Sequence, residues 1–247
     1  NVIGGGTLLI SGKASTANVQ NFAGTVLAGG RSAITPVSGE GGSVNLALGP
    51  ITRVASSGSA VMLTLPTSGS ITTTSLNTNG ILNGGMTVGQ STWATSAATQ
   101  STDVLWVNAS DTIAVPGYTN GQQVSFSGTA PGGLTAGVGY YVVNATSTTF
   151  QLAATESGTA IALSNDGTTG TMNTGGAITG LLDASYSATF ATNANVDVAG
   201  GPLTQAAITT NSLRFNSPGG TVLSLSGTLT NASGGILITP AVTGDVT

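Results

Sequence analysis

Glycine followed by a short run of small and apolar residues recurs down this chain at nearly even intervals. Gly5-Gly6-Thr7-Leu8-Leu9-Ile10 is the first instance, then Gly24-Thr25-Val26-Leu27, Gly41-Gly42-Ser43-Val44-Asn45-Leu46, Gly58-Ser59-Ala60-Val61-Met62-Leu63 and Gly80-Ile81-Leu82. Gly220-Thr221-Val222-Leu223 and Gly235-Ile236-Leu237-Ile238 repeat the habit near the end. A period near 20 with one short strand per repeat predicts a solenoid, in which no turn can bury its own apolar face and each depends on its neighbours. Leu, Glu, Lys, Arg and Gln are scarce beside Thr, Val, Ile and Gly, which favours strands over helices.

Stacked turns also account for the side chains. Small residues fit a narrow interior, Thr, Ser and Asn form hydrogen-bonded ladders along the stack, and like charges on adjacent rungs would repel. Only four basic and eight acidic residues occur among 247, or 5% charge. A β-sandwich or a string of immunoglobulin-like modules shows similar strand spacing, and the pattern alone leaves that alternative open.

The middle reads differently. Between Asn108 and Asn173 the aromatics Tyr118, Phe126, Tyr140, Tyr141 and Phe150 concentrate. Longer alternating runs appear at 122–127, 139–144 and 148–152, with a Pro131-Gly132-Gly133 turn after the first. These predict three to five antiparallel strands inserted into the coil. The organisation expected is therefore all-β: solenoid rungs over 1–107, a small antiparallel module over 108–174, and rungs continuing the same coil over 175–247.

Composition removes most chemistry. With no His and no Cys, imidazole and thiolate metal sites, cysteine nucleophiles and His-dependent triads are absent. A net charge of −4 with four basic residues argues against a nucleic-acid partner and excludes a polybasic membrane patch. Every apolar run is broken by Thr, Ser, Gly or Asn well before the ~20 residues of a membrane-spanning helix. The opening Asn1-Val2-Ile3-Gly4 has no charged n-region or long apolar stretch, and so reads as a mature, processed or partial chain.

No nucleophile elbow, dinucleotide fingerprint or phosphate loop is present. An enzyme reading would rest on Asp103 and Asp111, eight residues apart, although solvated loop carboxylates describe them as well. Asn165-Asp166-Gly167 and Asn195-Val196-Asp197 offer oxygen ligands for calcium, but a turn role accounts for both. No catalytic, cofactor or metal residue is assigned. Trp93 and Tyr118 are candidate glycan contacts, set against packing roles for Trp93 and for Trp106 in Val104-Leu105-Trp106-Val107. Sequons at Asn108, Asn144 and Asn231 are what chance supplies in a Thr- and Ser-rich chain.

The two termini complete the reading. Joined end to start, the glycine anchor after Gly235 is Gly5, at the same interval that separates Gly24 from Gly41. Neither end carries a charged or helical cap of the kind isolated solenoids need. Val2, Ile3, Leu8, Ile10, Ile236, Ile238, Val242 and Val246 are the expected end-to-end interface, whether units are joined covalently in tandem or stack as subunits.

The stretch Leu65-Pro66-Thr67-Ser68-Gly69-Ser70-Ile71-Thr72-Thr73-Thr74, continued by Asn79-Gly80-Ile81-Leu82-Asn83-Gly84-Gly85-Met86, resembles the recurring block of autotransporter-associated β-strand repeat proteins. Thr210–Asn216 and Ser233–Pro240 are similar. The resemblance covers about 1–107 and 175–247. It implies a β-solenoid passenger, extracellular or at the cell surface, with an adhesive or matrix role and no catalytic motif; the family's C-terminal membrane barrel is missing here. The resulting expectation is a non-enzymatic repeat unit of a surface fibre, partnered by identical units and by surface polysaccharide. A glycan-binding adhesin using the inserted module is the alternative.

Overall fold

The computed structural model describes residues 1–102, 104–167 and 170–247. It is an all-β parallel solenoid interrupted by an antiparallel β module, and its only helical pieces among the described residues are 3-10 turns at Asn108–Ser110 and Asp183–Ser185.

Three strands make each turn of the first coil. Turn one is β1 (Val2–Ile3), β2 (Gly6–Ser11) and β3 (Ala17–Asn21); turn two is β4 (Thr25–Leu27), β5 (Gly30–Val37) and β6 (Ser43–Ala47). Turn three is β7 (Ile51–Arg53), β8 (Ser59–Leu63) and β9 (Gly69–Thr72). Corresponding strands stack in parallel on three faces. β10 (Met86–Val88) adds to β8, and β11 (Thr92–Ser96) then runs antiparallel to β10.

The period differs from the expected one, for a geometric reason. Thr7 pairs with Ala33, Val44 with Gly69 and Arg31 with Ala60. Each turn of this coil is therefore several residues longer than the ~20 that the glycine spacing predicts. The glycine anchors are corners, not turn starts. Gly5 leads into β2, Gly24 into β4, Gly41 into β6 and Gly58 into β8, each two corners further round a three-cornered path. Two-thirds of such a turn is the observed anchor spacing. Gly5, Gly41, Gly58 and Gly80 have positive φ, which lets the backbone turn the corner without a Cβ penalty.

Alternation fills the interior. On β5, Ser32, Ile34 and Pro36 point inward while Ala33 and Thr35 point out. Leu8, Ile34, Leu63 and Val88 form one column through paired positions, and Leu27, Leu46, Leu48, Ile71 and Met86 complete the core. Buried hydroxyls satisfy backbone groups between turns, the Thr25 hydroxyl donating to the Leu48 carbonyl (2.8 Å) and that of Thr73 to Gly49 (2.7 Å). This is the use to which the Thr and Ser richness is put, because a buried carbonyl without a partner costs about 1–3 kcal/mol.

The module leaves from β11. β12 (Thr99–Val107), β13 (Thr112–Ala114), β14 (Gln123–Ser127), β15 (Tyr140–Val143), β16 (Gln151–Ala153) and β17 (Gly167–Thr174) form one antiparallel sheet in the order β13-β12-β17-β14-β15-β16. Six strands replace the three to five expected, and the sheet begins at Thr99 rather than near Asn108, since the Trp106 segment belongs to it. Trp106, Phe126, Phe150, Val124, Val142 and Met172 fill its core. Trp106 meets Phe126 edge-on, centroids 6.4 Å apart, and sits opposite Gly167 on β17. A Cβ at Gly167 would collide with the indole and one at Gly170 would stand 2.8 Å from it, so the two glycines make the indole's room.

β18 (Ile178–Gly180) returns antiparallel to β11. β19 (Asn195–Val198), β20 (Gly201–Gln205), β21 (Ile208–Phe215), β22 (Thr221–Leu225) and β23 (Leu229–Ile238) then stack in parallel. Rather than extending the ladders of β2–β10, these strands build two sheets of their own around Val196, Val198, Leu213 and Phe215. The turns are uneven here, that from Asn195 to its partner Ser212 being shorter than the next, from Ser212 to Gly235.

Candidate functional site

The second coil packs against the flank of the first. Every residue of β21 from Thr210 to Phe215 is buried, because one face lines its own core and the other meets the first coil. Asn195 Nδ2 donates to the Asn79 carbonyl (2.7 Å), and its Oδ1 accepts from Asn211 Nδ2 and the Ser212 hydroxyl, both at 2.7 Å. Gly84 and Gly235 set the separation. A Cβ on Gly84 would lie 2.5 Å from the Gly235 nitrogen, and one on Gly235 would lie 2.7 Å from the Gly84 Cα. Replacing Gly235 by Val is therefore expected to pry the coils apart and destabilise the fold by about 1–3 kcal/mol, as overpacking does. A thermal melt that matches the parent would contradict that contact.

Arg214 locks this junction. Its side chain is 3% exposed, its Nε and Nη2 donate to the two Asp197 carboxylate oxygens (3.2 and 2.7 Å), and its Nη1 donates to Asp183 (2.8 Å) and the Ser91 carbonyl (3.3 Å). The guanidinium carbon lies 3.6 Å from the centroid of Tyr186, a stacked cation–π arrangement. Burial opposes the charge, but the hydrogen bonds Arg214 donates to Asp197 and Asp183 outweigh it and the pKa is raised. The Tyr186 hydroxyl accepts from the Trp93 amide and bonds Thr92, each at 3.0 Å.

Beside the junction lies a cleft of about 540 Å³. One wall is the outer surface of β8 and β10 with Arg31 and Arg53, and the other is β23 with Ile236 and Ile238. Arg53 Nε donates to the Ser59 hydroxyl at 2.9 Å. Among the described residues, neither Arg31 nor Arg53 pairs with a carboxylate, and no carboxylate lines the cleft.

The sequence-predicted residues fall in three groups. Of the end-interface set, Val2 (69% exposed), Ile236 (62%) and Ile238 (54%) are open, Ile3 is buried, Leu8 and Ile10 are half-buried on the first core, and Val242 and Val246 are half-buried on that of the second coil. Trp93 does not present its ring: it is 2% exposed, packed with Ile81 and Tyr186. Tyr118 is half-buried, tilted against Phe150 with centroids 5.0 Å apart, its hydroxyl on Ser101. Both aromatics make packing contacts, Trp93 with its ring buried at the border of the cleft and Tyr118 with part of its ring exposed.

The carboxylates also resolve. Asp103 lies outside the described residues. Asp111 accepts the Leu163 amide (2.7 Å), and Asp166 accepts that of Asn108 (2.6 Å). Asn195 and Asp197 stand on β19 rather than at a turn, committed to Asn211 and Arg214. Among the described residues no three His, Cys, Asp or Glu side chains gather as metal ligands, and no helix is long and apolar enough to cross a membrane. Sequence reasoning missed Arg214 and the Arg31–Arg53 pair. The signal was their rarity, as three of only four basic residues.

Neither family models, curated proteins nor solved structures show a match to this chain. Its class, a β-solenoid carrying an antiparallel module, rests on the strand ladders alone.

Proposed function

We propose that this chain is a non-enzymatic structural unit of an extracellular or cell-surface fibre, associating end to end with identical units through open solenoid edges. One observation carries the reading: β1, β2 and β3 are each the outermost strand of their sheet. Unpaired strand edges are templates for further pairing, and proteins that stay monomeric cover or charge them. Here the first turn offers exposed Leu9 (59%) and Val19 (66%) beside the six-residue β2 and five-residue β3, with Lys13 between the two strands.

The edge has two sectors. Along β2 the inward positions are Leu8 and Ile10, stacked on Ile34 and Pro36. Along β3 they are Asn18 and Gln20, stacked on Val44 and Leu46. Asn18 Nδ2 donates to the Thr16 and Ser43 carbonyls, so the β3 sector is partly closed by polar groups. The apolar β2 sector is the better docking edge, and heterologous contacts made there do not close into a ring. Location outside the cell is supported by the resemblance to secreted repeat proteins.

Replacing Leu9 and Val19 together by Lys places charge on both edge strands, which is the natural device against edge pairing. The parent chain is expected to form elongated particles in negative-stain images and a mass rising with concentration, and the double variant to remain at 23.8 kDa. A parent that stays monomeric at high concentration overturns the reading.

A further inference from the structure

We propose that the cleft between the two coils binds an acidic sugar, with Arg31 and Arg53 holding its carboxylate or sulfate group. This does not rest on the fibre reading. Its size lies within the range of small-ligand sites, about 300–1,000 Å³.

Charge identifies the ligand's anionic part. In a chain of net charge −4, two of four basic residues line one cleft, and no acidic side chain among the described residues accompanies them. Arg53 is pre-oriented: its Nε is held by Ser59, its Cζ would stand 3.7 Å from a Cβ at Gly85, and its terminal nitrogens make no hydrogen bond to described residues. A guanidinium fixed through Nε with its remaining donors free suits a planar carboxylate or a sulfate ester, at little ordering cost. Arg31 lies on the outer surface of β5, paired in register with Ala60.

The remaining lining identifies the sugar. Gln90 offers uncharged donors and an acceptor, Thr87 offers an acceptor because its hydroxyl already donates to the Gly89 carbonyl (2.8 Å), and the glycine backbones of the walls are bare of side chains. Met62 and Ile236 supply aliphatic surface for C–H faces. A polyphosphate backbone needs more cations than two. Exposure of Ile236 at 62%, on the last strand of its sheet, keeps the cleft open to an extended chain.

The test is titration of the intact chain, at low ionic strength, with tetragalacturonate, a sulfated chondroitin tetrasaccharide, neutral maltotetraose, tetraglutamate and sodium sulfate. Calorimetry reads affinity, and the fluorescence of Trp93, which borders the cleft, reads location in a Trp106→Phe background. One or both acidic saccharides are expected to bind, distinguishing carboxylate from sulfate, while maltotetraose does not. Arg31→Gln with Arg53→Gln is expected to weaken that binding by roughly tenfold or more with unchanged far-UV circular dichroism. Arg31→Lys with Arg53→Lys and a salt titration serve as a second measure, the first weakening binding by partial loss of the fork geometry and the second by screening. Equal binding of maltotetraose, tighter binding of tetraglutamate than of either saccharide, an effect of sulfate alone equal to that of the saccharides, undiminished binding by the Gln variant, or no binding by any probe each overturns the proposal.

Discussion

Truncating Trp106 to Ala is expected to destabilise the inserted module by about 3–5 kcal/mol, the cost of emptying a large buried aromatic site. The indole is 2% exposed and is met by Phe126 edge-on. Gly167 and Gly170 carry no side chain that can move into the space, so the cavity will not collapse. The effect should be confined: the module core contains none of the residues that fill either coil. Thermal denaturation followed by circular dichroism should therefore split into two transitions, the earlier one belonging to the antiparallel sheet. The two tryptophans allow the assignment to be checked, because Trp93 lies at the coil junction and Trp106 in the module. In Trp106→Ala the remaining fluorescence must follow the later transition. A single transition at the parent temperature would mean that Trp106 is not the module's anchor.

Replacing Arg214 by Ala should destabilise the junction by about 3 kcal/mol, at the lower end of what breaking a buried ion pair costs. Asp197 is 32% exposed and Asp183 85% exposed, so both can hydrate once unpaired, which limits the penalty. What is lost is the stacking on Tyr186 and the bond to the Ser91 carbonyl, which ties the second coil to the first. Asp183→Asn removes only a solvated partner and should cost well under about 1 kcal/mol. Urea unfolding of the two variants separates these roles. Near-equal costs would mean that the exposed carboxylate, rather than the stacked and buried guanidinium, holds the junction.

The fold class was legible because a solenoid writes its corners into the sequence, as Gly5, Gly41 and Gly58 do. The length of its turn was not, because successive anchors stand on different faces of a three-sided path, and spacing alone cannot say how many corners make a circuit. The module's aromatics announce it, whereas β12 falls outside the bounds they draw, because Val104-Leu105-Trp106-Val107 precedes the segment where they concentrate. Only its partner strand, with glycines facing the indole, shows otherwise. Asn195 and Asp197 looked like turn residues because polar side chains usually mark turns. Here they lie on a strand whose outer face is buried by a neighbouring coil. That lateral packing leaves no periodic trace, and neither does the cleft it creates.

The place where the module joins the coil has a consequence of its own. The Ala97 amide donates to the Ala177 carbonyl (2.9 Å), Ser96 pairs with Ile178 and Thr99 with Thr174. Departure and return are thus adjacent rungs of a two-stranded ribbon, and beside this stem the module touches the coil where the Leu76 amide donates to Gln123 Oε1 (3.2 Å). A hairpin bend could substitute for the whole appendage, or a different folded body could be spliced onto the same stem, without moving a strand of the coil beneath. The scaffold is in this sense a socket, free to exchange its fitting over evolutionary time while the column that bears it stays unchanged.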